Sequence, residues 1–260
     1  MRKVIKILMI STLLLAGCSN NTNSKSKEKV YVKDKLEKYD DKNNLVETTT
    51  YTYNDVGIIA STITKDPKGN VVTKSNSTFF DDGKLKERKF EYIITEYEDE
   101  PKTSLEQYDE EGNRISAKDY DNKGKLINEI SAYKEQKDDK GNVTKRTYYY
   151  DNEITQQDEC KYDDNGHIIS VITTLGDGTK LKYTYKNSYD KKNNLVKMVR
   201  FSDGTKFEEY EYKYDKNGNV SEEKDKHFSS EGLEYEFTYK YTYKQIELTL
   251  SQKEYFDKMN

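Results

Sequence analysis

His167 and His227 are the two histidines of the chain, and a side chain of this type takes up a proton near neutral pH or ligates a metal. His167 falls in an Asn-Gly-His turn and His227 stands beside Lys226, so both are expected at the surface. Neither has a third ligand at metal spacing. Glu208 and Glu209 offer the two carboxylates of glycoside hydrolysis, but side by side in a strand they read as a solvated face or a bulge. Asp215, Asn217 and Asn219 place oxygens at alternate positions, as calcium loops do. The glycine is misplaced for such a loop, and Lys226 occupies its twelfth position, where a Glu is required. Asp and Asn in turns of this kind bond their own backbone. No nucleophile elbow, phosphate loop or HExxH motif is present. The reading is therefore non-enzymatic, without cofactor or metal.

The sharper candidate is a row of rings. Tyr235, Phe237, Tyr239, Tyr241 and Tyr243 alternate with Glu236, Thr238, Lys240 and Thr242, the period of two of a half-buried strand. An exposed row of this kind stacks on sugar rings or on an apolar partner. A covered row packs against the next strand or the opposite wall of a folded-over sheet. The absence of Trp weighs against sugar.

Turns position this row. Asp203-Gly204 and Asn217-Gly218 supply the positive φ angles of tight antiparallel reversals. A Tyr-Asp or related marker recurs at Tyr39, Tyr53, Phe80, Tyr108, Tyr120, Tyr150, Tyr162, Tyr189, Phe201, Tyr214 and Phe228, with intervals of 12, 13 and 14 residues from Tyr189 onward. A turn of about four residues and a strand of about eight fit that beat, so two beats make one hairpin. At this beat some fifteen strands are expected. Residues 128–137, NEISAYKEQK, read as strand because the turns on either side keep time. Pro101, in the irregular stretch 97–107, marks the expected joint.

Composition agrees with a thin structure. Charged residues make up 35% and hydrophobic residues 33%, and mean hydropathy is −1.11, too little apolar material for a thick core. The 24 Tyr and 8 Phe separate the chain from disordered sequences, which are poor in aromatics. Lys and Glu are interleaved, with no basic stripe to track a phosphate backbone, which argues against nucleic acid. These charges are expected to form the solvated face of the sheet. Cys160 is a lone thiol in a strand.

Residues 1–18, MRKVIKILMISTLLLAGC, have a basic start, an apolar run and small residues at the end, an export signal too short for an ordinary membrane span. Leu15-Ala16-Gly17-Cys18 resembles the lipobox of bacterial lipoproteins. The resemblance implies cleavage before Cys18 and a diacylglycerol on its sulfur, so the membrane is the first expected partner. Loss of residues 1–17, with Arg2, Lys3 and Lys6 and no acids, takes the formal charge from −4 to −7. Residues 18–29 are small and polar, a flexible tether spanning roughly 20 Å. Strand pattern begins at Val30, and residues 251–260 are expected to be a frayed polar tail.

The turns YDEEGNRI, YDNKGKLI, YDDNGHII and YDKNGNVS resemble the YD repeats of RHS-type bacterial surface and toxin-shell proteins, over roughly Tyr39 to Tyr243. Phe80-Asp81-Asp82-Gly83-Lys84-Leu85 is similar to MORN-type repeats. Both resemblances imply serial β-hairpins and no active site. The expectation is an all-β, elongated antiparallel meander, as a single layer or a partly wrapped sheet. It spans 30–250 and acts as a non-catalytic, exported, lipid-anchored scaffold or binding module. Two alternatives are an immunity or toxin-associated lipoprotein bound to a cognate protein, and a wall-polysaccharide binder using the tyrosine face.

Overall fold

The computed structural model describes residues 27–93, 101–110, 112, 114–130, 132–150 and 153–259. The first half contains β1 (Glu28–Tyr39), β2 (Leu45–Tyr53), β3 (Ile59–Lys65), β4 (Val71–Phe79), β5 (Leu85–Tyr92), β6 (Thr103–Tyr108), β7 (Arg114–Tyr120), β8 (Leu126–Ile130) and β9 (Ala132–Lys137). The second contains β10 (Val143–Tyr150), β11 (Glu153–Tyr162), β12 (Ile168–Leu175), β13 (Lys180–Tyr189), β14 (Leu195–Ser202), β15 (Thr205–Tyr214), β16 (Val220–Ser229) and β17 (Gly232–Leu248), followed by α1 (Leu250–Met259). The chain is an antiparallel meander of hairpins, with seventeen strands among the described residues where the beat gave about fifteen. The described residues of the stretch 128–137, all but Ser131, are strand, in β8 up to Ile130 and in β9 from Ala132.

Each residue of the Tyr-Asp turn has a task. In the turn after β15, Asp215 N donates to Asn219 O at 2.8 Å and Gly218 N donates back to Asp215 O at 3.2 Å. Asp215 Oδ1 accepts from the backbone N of Asn217 and of Asn219, at 2.8 and 3.0 Å. The same net recurs at Asp40, Asp66 and Asp138. Only the fourth residue needs a left-handed backbone: Gly218 has φ 86°, and Asn43 and Asn193 take the place at 61° and 65°. Asn217 is not left-handed, so this is a type I turn with a bulge. Asp203-Gly204 is the two-residue reversal with both φ angles positive, 48° and 86°.

The tyrosine closes the net from the strand side. Ladder register slips just before Tyr39, Tyr53, Tyr108, Tyr120, Tyr162, Tyr189 and Tyr214, and such bulges re-aim a side chain. The hydroxyls of Tyr162 and Tyr214 donate to the carbonyls of Val143 and Leu195, the first residues of the strands alongside, at 2.9 and 2.7 Å. Tyr243 does the same to Val220 at 2.9 Å.

Pairing also sets the curvature of the whole. β1 pairs with β2 on one edge and with β17 on the other. Consecutive strands pair through β8, and again from β9 to β17. The path of ladders thus begins at β8 and ends at β9, which do not pair with each other but are separated by one residue of chain. Two residues span at most about 7 Å, so the ends of the sheet meet, and the partly wrapped form is the one adopted. The joint expected at 97–107 falls partly outside the described residues; Thr103–Tyr108 stands within the ladder as β6.

Of residues 251–260, expected as a polar tail, 251–259 are helical, in α1 (Leu250–Met259). Thr249-Leu250-Ser251-Gln252 is a capping box: Gln252 N donates to Thr249 Oγ1 at 3.4 Å and Thr249 N to Gln252 Oε1 at 2.8 Å. The helix lies over the turns after β2 and β4, where Tyr255 Oη accepts from Leu85 N at 3.1 Å. Phe256 joins Tyr53 and Ile246 on the buried cluster Val30, Val32 and Leu248. Gly57, at φ +79°, sits against this cluster; a Cβ there would meet Phe256 at 3.0 Å and Ile246 at 3.1 Å. Gly69 has a similar φ, +87°, and open space. Gly57→Ala should therefore cost about 2 kcal/mol and Gly69→Ala about 1 kcal/mol in urea unfolding; equal losses would show that the helix does not press on this turn.

The tyrosine face and its charge cluster

The alternation of β17 is realised in three dimensions. Residues directly opposite in a ladder share a face, so Tyr239 lies with Glu223, Phe237 with Asp225, and Tyr235 with His227. These in turn lie with Tyr212, Tyr210 and Glu208 of β15. All five aromatics of the row are half-buried. Tyr241 Oη donates to Glu223 Oε2 at 2.8 Å, and Lys33 Nζ lies 5.0 Å over the Tyr241 ring. Lys38 Nζ lies 4.0 Å over Phe237 and 6.0 Å over Tyr239. Tyr235 stacks on His227 with centroids 4.3 Å apart and meets Phe237 at 5.6 Å. Burial pushes the Tyr239, Tyr241 and Tyr243 phenols up, and Tyr51, facing them from β2, up to about 12.

His227, expected at the surface, is 8% exposed. Period two places it with Asp225 on the ring-bearing face, directly across from Glu208. Its Nε2 lies 3.0 Å from Asp225 Oδ1 and its Nδ1 3.5 Å from Glu208 Oε1. Arg200 Nη1 donates to Glu208 Oε2 at 2.8 Å, and its guanidinium lies 4.2 Å over Tyr183 and 5.4 Å over Phe207. Phe207 is the extra residue of a register shift between β14 and β15, which brings it beside Glu208. Further along the face, burial holds the Glu223 carboxyl above the usual range and the Lys33 ammonium below its own. His167, also expected outside, is half-buried, with Nδ1 3.1 Å from Tyr189 Oη.

The charges are thus divided between two faces rather than gathered on a solvated one. Arg88, Arg114, Arg146 and Arg200 are the arginines among the described residues, and all lie on the tyrosine face. Arg114 bonds Glu106 at 2.9 Å, Arg146 bonds Glu135 at 2.7 Å, and both guanidiniums flank the Tyr133 ring. A delocalised, weakly hydrated cation that stacks on rings suits that position better than lysine.

Glu208 and Glu209 point to opposite faces, as neighbours in a strand do, so they do not form a catalytic pair. Glu209 meets Lys206 at 2.7 Å, Lys197 at 2.9 Å and Lys226 at 3.3 Å. Burial raises its carboxyl, but these lysines outweigh it and bring it down from 4.5 to about 2. An acid depressed by folding stabilises the fold above its unfolded value and loses that contribution as pH falls toward the folded one. Up to ~3 kcal/mol should therefore disappear between about pH 4.5 and pH 2. Glu209→Gln should flatten this part of the urea-midpoint profile, and an unchanged profile would assign the acid sensitivity elsewhere.

Among the described residues no group of three His, Cys, Asp or Glu side chains is placed to hold a metal ion. The Asp215 carboxylate, read from sequence as a possible calcium ligand, is engaged in its own turn. Cys160 is half-buried in β11, where burial raises its thiol. Cys18 lies outside the described residues. The cluster around Arg200 was missed because charge alone reads as surface. Its signal was the alternation through Glu208-Tyr210-Tyr212 and Glu223-Asp225-His227, which puts charge and ring on one side.

A family model described as Teneurin YD-shell matches residues 124–242. No curated protein sequence matches the chain. Among solved structures, a porin-like protein from Bacteroides uniformis is 12% identical, with TM-score 0.51 over 82% of this chain and 98% of that one. A porin-like protein from Bacteroides vulgatus is 10% identical with TM-score 0.34, over 82% and 98%. The TcdB2-TccC3-Cdc42 structure is 13% identical with TM-score 0.28; the match covers 84% of this chain and 15% of that one. These last two are too distant to define a shared fold. The second half of the chain thus carries YD-type repeats, built as hairpins with Tyr-Asp turns at Tyr162-Asp163, Tyr189-Asp190 and Tyr214-Asp215.

Proposed function

We propose that this protein is a non-catalytic module of the bacterial cell envelope, exported and held at the outer side of a membrane by lipid on Cys18, where it serves as a scaffold or binding partner for another protein. The observation that carries the non-catalytic reading is the internal pairing of the tyrosine face: Tyr241 bonds Glu223, Tyr243 bonds a backbone carbonyl, and Arg200, Glu208, His227 and Asp225 bond one another. A catalytic face would hold a base or nucleophile free for substrate. The same pairing favours a protein partner over wall polysaccharide, because the rings that would stack on sugar stack on Lys38, Lys33 and His227. Among the described residues no helix is long and apolar enough to cross a membrane, and the anchor reading rests on the LAGC sequence. Labelling with radioactive palmitate in the host tests it: wild type should label and fractionate with membranes, and Cys18→Ala should lose the label and leave them. A Cys18→Ala protein that still labels would overturn the anchor.

A further inference from the structure

The two ends of the wrapped sheet are told apart by the route of the chain. Neighbouring strands run antiparallel, so every second turn comes to the same end. Glu28, where β1 starts, pairs with Leu248 of β17, and their end also holds the turns at 54–58, 80–84, 138–142, 163–167, 190–194 and 215–219. Helix α1 lies at this end too, across the first two of those turns: Tyr255 Oη accepts from Leu85 N at 3.1 Å and Gln252 Nε2 donates to Asp55 O at 3.4 Å. The turns at 40–44, 66–70, 121–125, 203–204 and 230–231 come to the opposite end. A strand such as β16, of 10 residues, separates the two by ~33 Å.

Glu28 stands at the tip of its end. β1 pairs with β17 from Glu28 but with β2 only from Lys35, and β17 pairs with β16 only as far as Lys240. The ribbon made by residues 28–33 and 243–248 therefore extends past the ladders on either side of it.

Resting on the reading of Cys18 as the lipid-bearing residue, we infer that the end carrying α1 faces the bilayer and that the end carrying the 203–204 and 230–231 turns faces away from it. Ten residues of chain lead from Cys18 to Glu28. As a coil they cover roughly 20 Å, and at full extension about 35 Å at most. With the sheet standing on its other end, this segment would have to run the whole ~33 Å of a strand, close to its limit, at the cost of the conformational freedom of nearly every residue in it. With the α1 end down it stays a coil. The orientation is thus set by where the chain enters the fold. It turns outward the end at which Leu233, Ile93 and Tyr150 are 56%, 51% and 50% exposed, so a protein approaching from outside meets these first.

Energy transfer to a labelled bilayer tests this. The full lipidated chain carrying Cys160→Ser is reconstituted into phosphatidylcholine vesicles that contain rhodamine-headgroup lipid. A donor dye is attached at one of two exposed positions flanking β16, Lys216→Cys at the α1 end or Ser230→Cys at the other. Transfer from Lys216→Cys should exceed that from Ser230→Cys about twofold or more, for a height difference of one strand, ~33 Å. Asp81→Cys and Lys68→Cys, exposed at the two ends of β4 on another part of the wall, should give the same order, with far-UV circular dichroism unchanged throughout. Equal transfer from the two ends, or stronger transfer from Ser230→Cys and Lys68→Cys, on chains that float with the vesicles would overturn the orientation and leave the anchor standing. Chains that fail to float with the vesicles would overturn the anchor, and the orientation with it.

Discussion

Replacing Arg200 by alanine should destabilise the fold by ~3–5 kcal/mol, the cost of leaving one partner of a buried ion pair alone. The Glu208 side chain is 8% exposed and receives its short ion pair, 2.8 Å, from Arg200; His227 stands farther off at 3.5 Å. The guanidinium also fills the space over Tyr183 and Phe207, so the truncation removes packing as well as charge. Combining Arg200→Met with Glu208→Leu should recover most of the loss, because no charge is then left buried without its counterion. Urea unfolding near pH 7 measures both. A loss below ~1 kcal/mol for Arg200→Ala would mean that the pair behaves as an exposed one and that the tyrosine face is open to water.

Leu248→Ala should cost ~3 kcal/mol, within the range for emptying a buried leucine site. Leu248 is 1% exposed and joins Val30 and Val32 in the buried apolar cluster on which Phe256 of α1 packs. Little else apolar in the described chain is fully covered, so the contact of β1 with β17 and α1 rests heavily on this group. Leu233→Ala, in the same strand but 56% exposed, should change stability by less than ~0.5 kcal/mol. If the two variants lost equally, α1 would not be docked as described.

Local rules carried a large part of this architecture into view. Glycine or asparagine at the fourth turn position, aspartate at the first and tyrosine before it are each demanded by a hydrogen bond or a φ angle within a few residues. The period-two row from Tyr235 to Tyr243 likewise reports its own face. Hidden from such reading was whatever depends on strands far apart in sequence. Nothing near Glu37 announces that it pairs with Lys240, and nothing near His227 announces Glu208 across the ladder. The helix was a different failure: Thr249 and Gln252 spelled a capping box at the end of a polar stretch whose overall composition suggested fraying. Charge was misassigned for a general reason. A strand of alternating Glu and Tyr places acids on one face when they fall out of step with the rings and on the other when they fall in step, and composition does not distinguish the two.

The wrapping of the sheet is tested most directly by joining its first and last strands covalently. Glu37 and Lys240 stand opposite each other in the β1–β17 ladder, a separation suited to a disulfide. With Cys160 replaced by serine, the chain carrying Glu37→Cys and Lys240→Cys should form that disulfide within one molecule under mild oxidation, as peptide mapping would show. A control carrying Glu37→Cys and Lys206→Cys should not. In an unwrapped meander the same two strands would stand about 70 Å apart, so absence of the intramolecular cross-link, with the chain otherwise folded, would contradict the wrapped sheet.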